Sequence, residues 1–339
     1  MRKIFHQYFR PTREELTELW QQGLLSFDAS VLLNVYGYSK KTRDELVEFI
    51  EKYSERVRLP YQSGLEFARN RSAVIVKQVH NYTRVTQALE KIWNVDIAPK
   101  RDHPYLSKKS TRAFRAIMKE LEDGCRAMEK LVGSDPYADR MFDIFEGRVG
   151  KAPTTEALCE LEAIAQTRYG KLIPPGFADF KEKGSPAASG DFIAWHQLME
   201  IAKEEEKGVI LVTDDMKEDW WLLEGSRTVG PLPHLIEEFT RITNQRFYMY
   251  NSETFLRAAR EFAAADIRDD VIEEVTERRA SVSAALRAAL VKSVPVEREN
   301  PRVKKRVPES TVSGSDVKQP PAPIVDNKPS PEKLGPRRD

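Results

Sequence analysis

Apolar residues recur along this chain with two different periods. LLSF at Leu24–Phe27 and VILVT at Val209–Thr213 are short continuous apolar runs, the pattern of strands buried on both faces. VRLP (57–60) and RFYMY (246–250) read as further strands. Elsewhere the apolar positions fall at i, i+3 and i+4. On that spacing TRDELVEFIEKYSE, the long stretch from YQSGLEF to LEKIW, TRAFRAIMKELEDGCRAMEKLV and TTEALCELEAIAQTRYG predict helices. DFIAWHQLMEIAKEEE predicts another, with Phe192, Trp195, Leu198, Met199 and Ala202 on its apolar side. SETFLRAAREFAAA follows, with Ser252 as its expected N-cap. Strands alternating with helices predict an α/β fold, a mainly parallel central sheet with helices on both faces. Ligand sites in such sheets lie beyond the carboxyl ends of the strands.

The pattern also predicts the domain plan. Residues 1–265 form the main domain, in which 96–170 read as a helical insertion or lid broken by HPYLSKKS and GSDPYAD. Residues 266–294 read as a helical extension. Beyond them the chain changes character: the last aromatic is Phe262, and nine of 20 prolines lie between Pro295 and Pro336. Residues 280–339 hold 12 Lys/Arg against 7 Asp/Glu. A basic, proline-rich segment without aromatics cannot offset its ordering entropy, so 295–339 is predicted to be disordered. Its RVKKRV stretch (302–307) could meet nucleic acid or a protein partner; a solvated linker is the plainer reading.

Composition narrows the chemistry by exclusion. The net charge is +1, so no global field marks a nucleic-acid binder. Two distant cysteines, Cys125 and Cys159, in no C-x-x-C pair, exclude a disulfide framework, argue against a zinc cluster and fit a reducing cytoplasm. The first residues lack the apolar core of a secretory signal, and no stretch reaches the roughly 18 apolar residues of a membrane span. G-x-x-x-x-G-K-[ST], G-x-G-x-x-G, G-x-S-x-G and zinc-type histidine spacings are all missing.

Acidic residues are what remain. Asp28 ends the first strand, and Asp214 and Asp215 end the VILVT strand. Parallel strands bring these ends to one edge. Asp191 opens a helix after a Pro-Gly-Ser-rich loop, Glu66 lies early in a helix, and Asp219 precedes Trp220-Trp221. Clustered carboxylates repel, and a bound Mg²⁺ or Mn²⁺ relieves that repulsion while lowering the pKa of a water and neutralising a phosphate. Singly, Asp28 and Asp191 could be N-caps and Asp219 a turn cap. Lys171, Lys181, Lys183 and Lys217 could form a basic rim holding a phosphate backbone, or be solvated loop lysines. Trp195 reads as core; Trp220 and Trp221 read as one inward and one exposed ring, with base stacking the sharper alternative. His196 reads as a packed or solvated helical residue.

The contexts FDASVLLN, LPYQSGLEF, IPPGFADFKEKG followed by GDFIAWHQLM, and LVTDDMKEDWW together resemble the PIN domain family of metal-dependent nucleases, specifically its larger bacterial PIN-like branch. The resemblance covers roughly 20–262, interrupted by the helical insertion, which compact relatives lack. It implies a three-layer α/β/α fold. It implies that Asp28, Glu66, Asp191 and Asp215 are the metal-binding catalytic carboxylates. Asp214 and Asp219 would be additional acids, and Thr213 would orient a ligand or phosphate. The activity implied is Mg²⁺- or Mn²⁺-dependent endonucleolytic hydrolysis, most often of single-stranded RNA, in relatives that include toxins and defence effectors. A structure-specific DNA nuclease and an inactive RNA- or protein-binding scaffold are the alternatives, and an oligomer is compatible with either.

Overall fold

The computed structural model describes residues 1–293 apart from 3, 98–105, 184–187 and 226, with side chains of 181–183 and 282–293 also outside the description. The expected disordered tail, with RVKKRV, lies outside the described residues. In chain order the elements are α1 (Arg13–Gln22), β1 (Leu24–Phe27), α2 (Ala29–Asn34), α3 (Lys40–Lys52), α4 (Tyr61–Ile92), α5 (Lys108–Gly133), α6 (Pro136–Phe145), α7 (Thr155–Gly170), α8 (Phe177–Lys183) and α9 (Gly190–Glu204). They continue with β2 (Val209–Val212), β3 (Trp221–Glu224), β4 (Arg227–Pro231), α10 (Pro233–Thr243), β5 (Phe247–Tyr250), α11 (Ser252–Ala263) and α12 (Asp269–Ser293).

The three apolar runs pair as expected into a parallel sheet of order β1-β2-β5. Phe27 lies beside Val212, and Val212 beside Tyr250, so the three strands end level. All twelve strand residues are buried. Strand alternation divides them between two cores. Leu25, Phe27, Ile210, Val212, Tyr248 and Tyr250 join one with Trp20, Phe49 and Phe255. Leu24, Val209, Leu211, Phe247 and Met249 join the other with Trp195, Leu198 and Phe239. Helices cover both faces, which makes three α/β/α layers. In the second core the Trp195 indole donates to Glu238 Oε2 (2.9 Å), and Arg168 pairs with Glu238 Oε1 (2.5 Å) while lying over the Phe192 ring. Burial alone would raise the Glu238 carboxyl; the Arg168 and Trp195 bonds overcome it and hold it below the usual range.

Three details depart from expectation. VRLP is not a strand: it makes only single bridges, Leu25 with Val57 and Leu59 with Val149. Trp221–Glu224 and Arg227–Pro231 form an antiparallel hairpin that the apolar pattern did not reveal. Asn251, not Ser252, caps α11, in a reciprocal capping box with Thr254. The helices of 96–170 pack in different places. α6 sends Met141, Ile144 and Phe145 into the first core, and α7 sends Leu161, Ala165 and Tyr169 into the second. α5 pairs along most of its length with the distal part of α4, and Leu131 near its end packs on the first core. No residue of α4 beyond Ile75 is buried, and only Met128 of α5 is. Trp93 stacks on Phe114 at 4.6 Å, and Thr83 Oγ1 lies 3.7 Å from Cys125 Sγ, which sets an antiparallel register. No described helix is long and apolar enough to cross a membrane.

Candidate active site

The level strand ends bring Asp28 and Thr213 side by side. The Asp28 N–H donates to Val212 O (2.9 Å), and the Thr213 N–H to Tyr250 O (3.0 Å). Asp28 occupies the position before α2, yet its side chain makes no capping bond. Its Oδ2 instead accepts from Ser30 Oγ (2.5 Å) and Thr213 Oγ1 (3.0 Å). The Thr213 hydroxyl is buried and also accepts the Asp215 N–H (3.1 Å). It therefore fixes the two acids relative to each other.

Glu66 and Asp191 approach from helices on the same side. Gln62, one turn before Glu66, donates through Nε2 to Glu66 Oε1 (2.7 Å), and its N–H donates to Gln197 Oε1 on α9 (2.8 Å). That bond locks the start of α4 to α9. Gly190 permits the approach, since a Cβ there would lie 2.6 Å from Glu66 Oε1. Asp191 sits inside the first turn of α9, with Ser189 at the cap position, so it is not an N-cap. Asp28, Glu66, Gly190 and Asp191 line one cavity of about 20 Å³ with Trp195 and Trp220 behind it, room for about one water-sized particle. A wider cavity, about 740 Å³, opens at the opposite, amino-terminal edge of the strands, where Gly23, Gly208 and Arg246 lie, and has none of these acids.

Asp215 faces the same region and is gripped by Lys217. Its Oδ1 accepts the Lys217 N–H (3.1 Å), and its Oδ2 lies 2.6 Å from Lys217 Nζ. The same ammonium pairs with Asp179 and lies 4.0 Å from Asp191 Oδ2. The sequence reading put Lys217 on a rim; the fold puts it among the carboxylates. It also adds Asp179, which no motif singled out. Burial would lower the Lys217 ammonium, but the Asp215 and Asp191 charges and the Asp179 and Asp215 bonds hold it well above an ordinary lysine. Burial pushes the Asp191 carboxyl well up; Lys217 opposes the shift, and the charges of Asp215, Asp28 and Asp179 add to it. Burial likewise raises Asp28, against the Ser30 and Thr213 hydrogen bonds.

The remaining residues divide between support and distance. Asp214 turns away from the cavity: its carboxylate accepts from Ser252 N–H (3.0 Å), Ser252 Oγ (2.7 Å) and Asn34 Nδ2 (2.8 Å). It clamps the end of β2 to the start of α11 and the end of α2. Asp219 is fully buried and accepts the N–H groups of Gly176 (2.9 Å) and Ala178 (3.0 Å), so it holds the segment that carries Asp179. Trp220 and Trp221 are both buried, contrary to the expectation of one exposed ring. The Trp221 indole donates to Asp215 O (2.5 Å) and anchors that loop. Lys171 is exposed at the end of α7, and the side chains of Lys181 and Lys183 lie outside the described residues. His196 Nδ1 lies 3.6 Å from Glu200 and takes no part in the cluster.

The donor set is all carboxylate oxygen, which suits a hard divalent cation. Asp191 Oδ2 is buried without a hydrogen bond, at a cavity large enough for one small particle. On both counts the residues fit Mg²⁺ or Mn²⁺. Among the described residues no three such side chains are drawn together as closely as ligands of one ion, Lys217 standing between Asp179, Asp191 and Asp215.

A family model described as a PIN like domain matches residues 24–235, from the first residue of β1 into α10. No curated protein and no solved structure matches the chain. The matched span contains Asp28, Glu66, Asp179, Asp191, Thr213 and the Asp214–Asp219 loop. PIN-like domains are in general nucleases, and the nucleases of this family usually use divalent metals. The chain belongs to the PIN-like domain family.

Proposed function

We propose that this chain is a Mg²⁺- or Mn²⁺-dependent endonuclease acting on single-stranded RNA. The observation that carries the reading is the meeting of Asp28, Glu66 and Asp191 at one small cavity, with Asp215 and Asp179 beside it through Lys217. Such an ion, when bound, lowers the pKa of a water and offsets charge on a scissile phosphate. Asp28, Glu66, Asp191 and Asp215 would hold it. Thr213 and Ser30 keep Asp28 Oδ2 oriented. Gln62 orients Glu66, and the Trp221 indole fixes the Asp215 backbone. Asp214 and Asp219 serve as positioning residues. Lys217, which pairs with Asp179 and Asp215, would offer its ammonium to a phosphate oxygen were those carboxylates to hold a cation instead. RNA as the substrate, and service as a toxin or defence effector, rest on the family resemblance.

The test is incubation of labelled single-stranded RNA with Mn²⁺, comparing wild type with Asp28→Asn and Asp215→Asn. Each substitution should slow cleavage by about 10²-fold or more, the scale on which preorganised electrostatic groups act. Cleavage that survives both changes, or that proceeds equally in EDTA, defeats the proposal. Flap DNA and single-stranded DNA, run alongside, separate the DNA-nuclease reading. One observation favours an inactive scaffold: the Lys217 ammonium already neutralises the carboxylates. On that reading Mn²⁺ leaves the melting temperature unchanged, whereas a cation binding the folded state must raise it.

A further inference from the structure

The net charge of +1 conceals a separation. Residues 77–119, the distal part of α4, the first half of α5 and their connection, contain ten Lys/Arg and three Asp/Glu, net +7. The rest of the chain up to residue 279 contains 32 and 43, net −11. A body of that sign, with a carboxylate site on it, repels a polyanion within a Debye length, about 8–10 Å at physiological salt.

The positive charge is ordered. Lys108, Arg112, Arg115 and Lys119 follow at spacings of four, three and four residues, so they form one row along α5. The face holding Phe114 and Cys125 is turned to α4; the row lies on another side of the helix. All four residues are exposed, and none forms an ion pair among the described residues. Like charges at these spacings destabilise a helix by about 0.2–0.5 kcal/mol per pair, so the row opposes the fold rather than supporting it. At 1.5 Å per residue it is about 16 Å long.

α4 connects this row to the candidate active site. Glu66 lies in its second turn, and Trp93, stacked on Phe114, directly follows its end. Twenty-seven residues of helical rise separate Glu66 from Trp93, about 40 Å, the length of about twelve stacked nucleotides at 3.4 Å each.

We propose that the row Lys108–Arg112–Arg115–Lys119 is a docking site for the phosphodiester backbone of RNA, holding a strand whose other end reaches the carboxylate site. The identity of the strand rests on the proposed nuclease reading; the docking itself rests on the charge row. Charge complementarity selects the occupant, because only a polyanion relieves a row of unpaired cations while overcoming a net-negative body.

The test uses the full chain, wild type and a variant combining Lys108→Glu, Arg112→Glu, Arg115→Glu and Lys119→Glu. A second variant with Gln at the same four positions controls for newly created repulsion. Anisotropy of labelled single-stranded RNA of about 30 nucleotides, long enough to span both sites, is followed without divalent metal across a salt series. Four lost phosphate contacts should lower the slope of log affinity against log salt by about 3, with the Gln variant binding at least about tenfold more weakly at moderate salt. Cleavage of an RNA of about six nucleotides in Mn²⁺, too short to reach the row, should be equal in all three proteins.

Equal slopes and affinities for the long RNA in wild type and both variants overturn the proposal, and cleavage of the short RNA in that case leaves the nuclease reading standing. Row-dependent binding of the long RNA with no cleavage of either RNA supports the docking site and sinks the nuclease. Row-dependent binding to phosphatidylserine vesicles, with RNA binding unaffected by the substitutions, assigns the row to a lipid surface and overturns the proposal.

Discussion

The carboxylate cluster and the α5 charge row handle charge in opposite ways. At the cluster, the acids are gripped by named donors: Ser30 and Thr213 on Asp28, Lys217 on Asp215 and Asp179, Ser252 and Asn34 on Asp214. Ser30, Thr213 and Ser252 sit at a strand end or a helix start, and two cores fix their positions. Along α5, four cations stand exposed on a hairpin that packs chiefly on itself. The difference is one of purpose. Chemistry at a phosphate needs groups held within a fraction of an ångström, which takes burial. Attraction of a polyanion needs only net charge, which long solvated side chains supply. Substitutions in the two regions should therefore differ by an order of magnitude in stability and separate in function.

The largest expected effect is at the back of the site, where Arg168 binds Glu238. Both side chains are largely buried, 14% and 8% exposed. Arg168→Ala leaves a buried carboxylate with only the Trp195 indole, so stability should fall by about 3–5 kcal/mol, or about 6–20 °C in melting temperature. Arg126 pairs with Asp123 on α5 with more than half of each side chain exposed. Arg126→Ala should cost under about 0.5 kcal/mol. Calorimetry that finds the two losses alike would remove the contrast.

Lys217 comes next. Without its ammonium, Asp179, Asp191 and Asp215 face one another unneutralised. The lysine is a third exposed, which discounts the cost, so Lys217→Met should lose about 1–3 kcal/mol in EDTA. Mn²⁺ should then raise the melting temperature of Lys217→Met by more than that of wild type, since no internal cation has to be displaced. An equal Mn²⁺ shift in the two proteins breaks the link between Lys217 and the cation site.

These contrasts also show what was legible in the sequence. β1, β2 and β5 stood out because each is buried on both faces, and a buried strand must be apolar throughout. Asp28, Asp191 and Asp215 stood out because strand ends and helix starts are legible too. Contacts between distant segments were not. Asp179 lies in the first turn of α8, directly after IPPGF, and only folding sets it against Lys217. The hairpin of β3 and β4 turns at Gly225, whose φ of 61° suits glycine, but its strands are largely exposed and give no apolar run. The Trp220-Trp221 pair is buried on both rings because the loop folds back, Trp221 bonding Asp215 O and Trp220 meeting Trp195 edge-on at 6.2 Å. The α5 row was visible as residues, but its meaning needed the hairpin that holds it apart from the negative body.

Asp191→Asn should change stability in the opposite direction. The folded protein raises the Asp191 carboxyl through burial, against Lys217, so it binds its proton more tightly than the unfolded chain does. The resulting contribution to stability is full below the unfolded value of about 3.9 and is lost as pH rises through the higher folded value. Asparagine never ionises. The variant should therefore gain on wild type as pH rises from 4 to 7 in EDTA, reaching about 0.5–2 kcal/mol at neutrality while cleavage is lost. A melting-temperature difference independent of pH would show that Asp191 is not the strained acid.

The smallest expected effect lies on the arm. Phe114 stacks on Trp93 near the far end of the hairpin, away from both cores. An aromatic pair of this kind is worth about 0.5–1.5 kcal/mol, and here it holds only the end of α4 against the start of α5. Loss of a contact in a region that opens by itself does not lower global stability; it lowers the cost of local opening. Phe114→Ala should therefore leave the calorimetric transition within about 1 °C of wild type. Amide exchange should quicken about 2- to 10-fold across the amides near 88–93 and 110–118, while α9 and β2 remain unchanged. Cleavage of short RNA should not move, because the carboxylates are set by β1, β2, α9 and the start of α4, which Gln62 ties to α9. A drop in the global transition as large as that of Lys217→Met would mean that the arm and the body unfold as one unit, and the division between a rigid acidic site and an independent basic arm would fail.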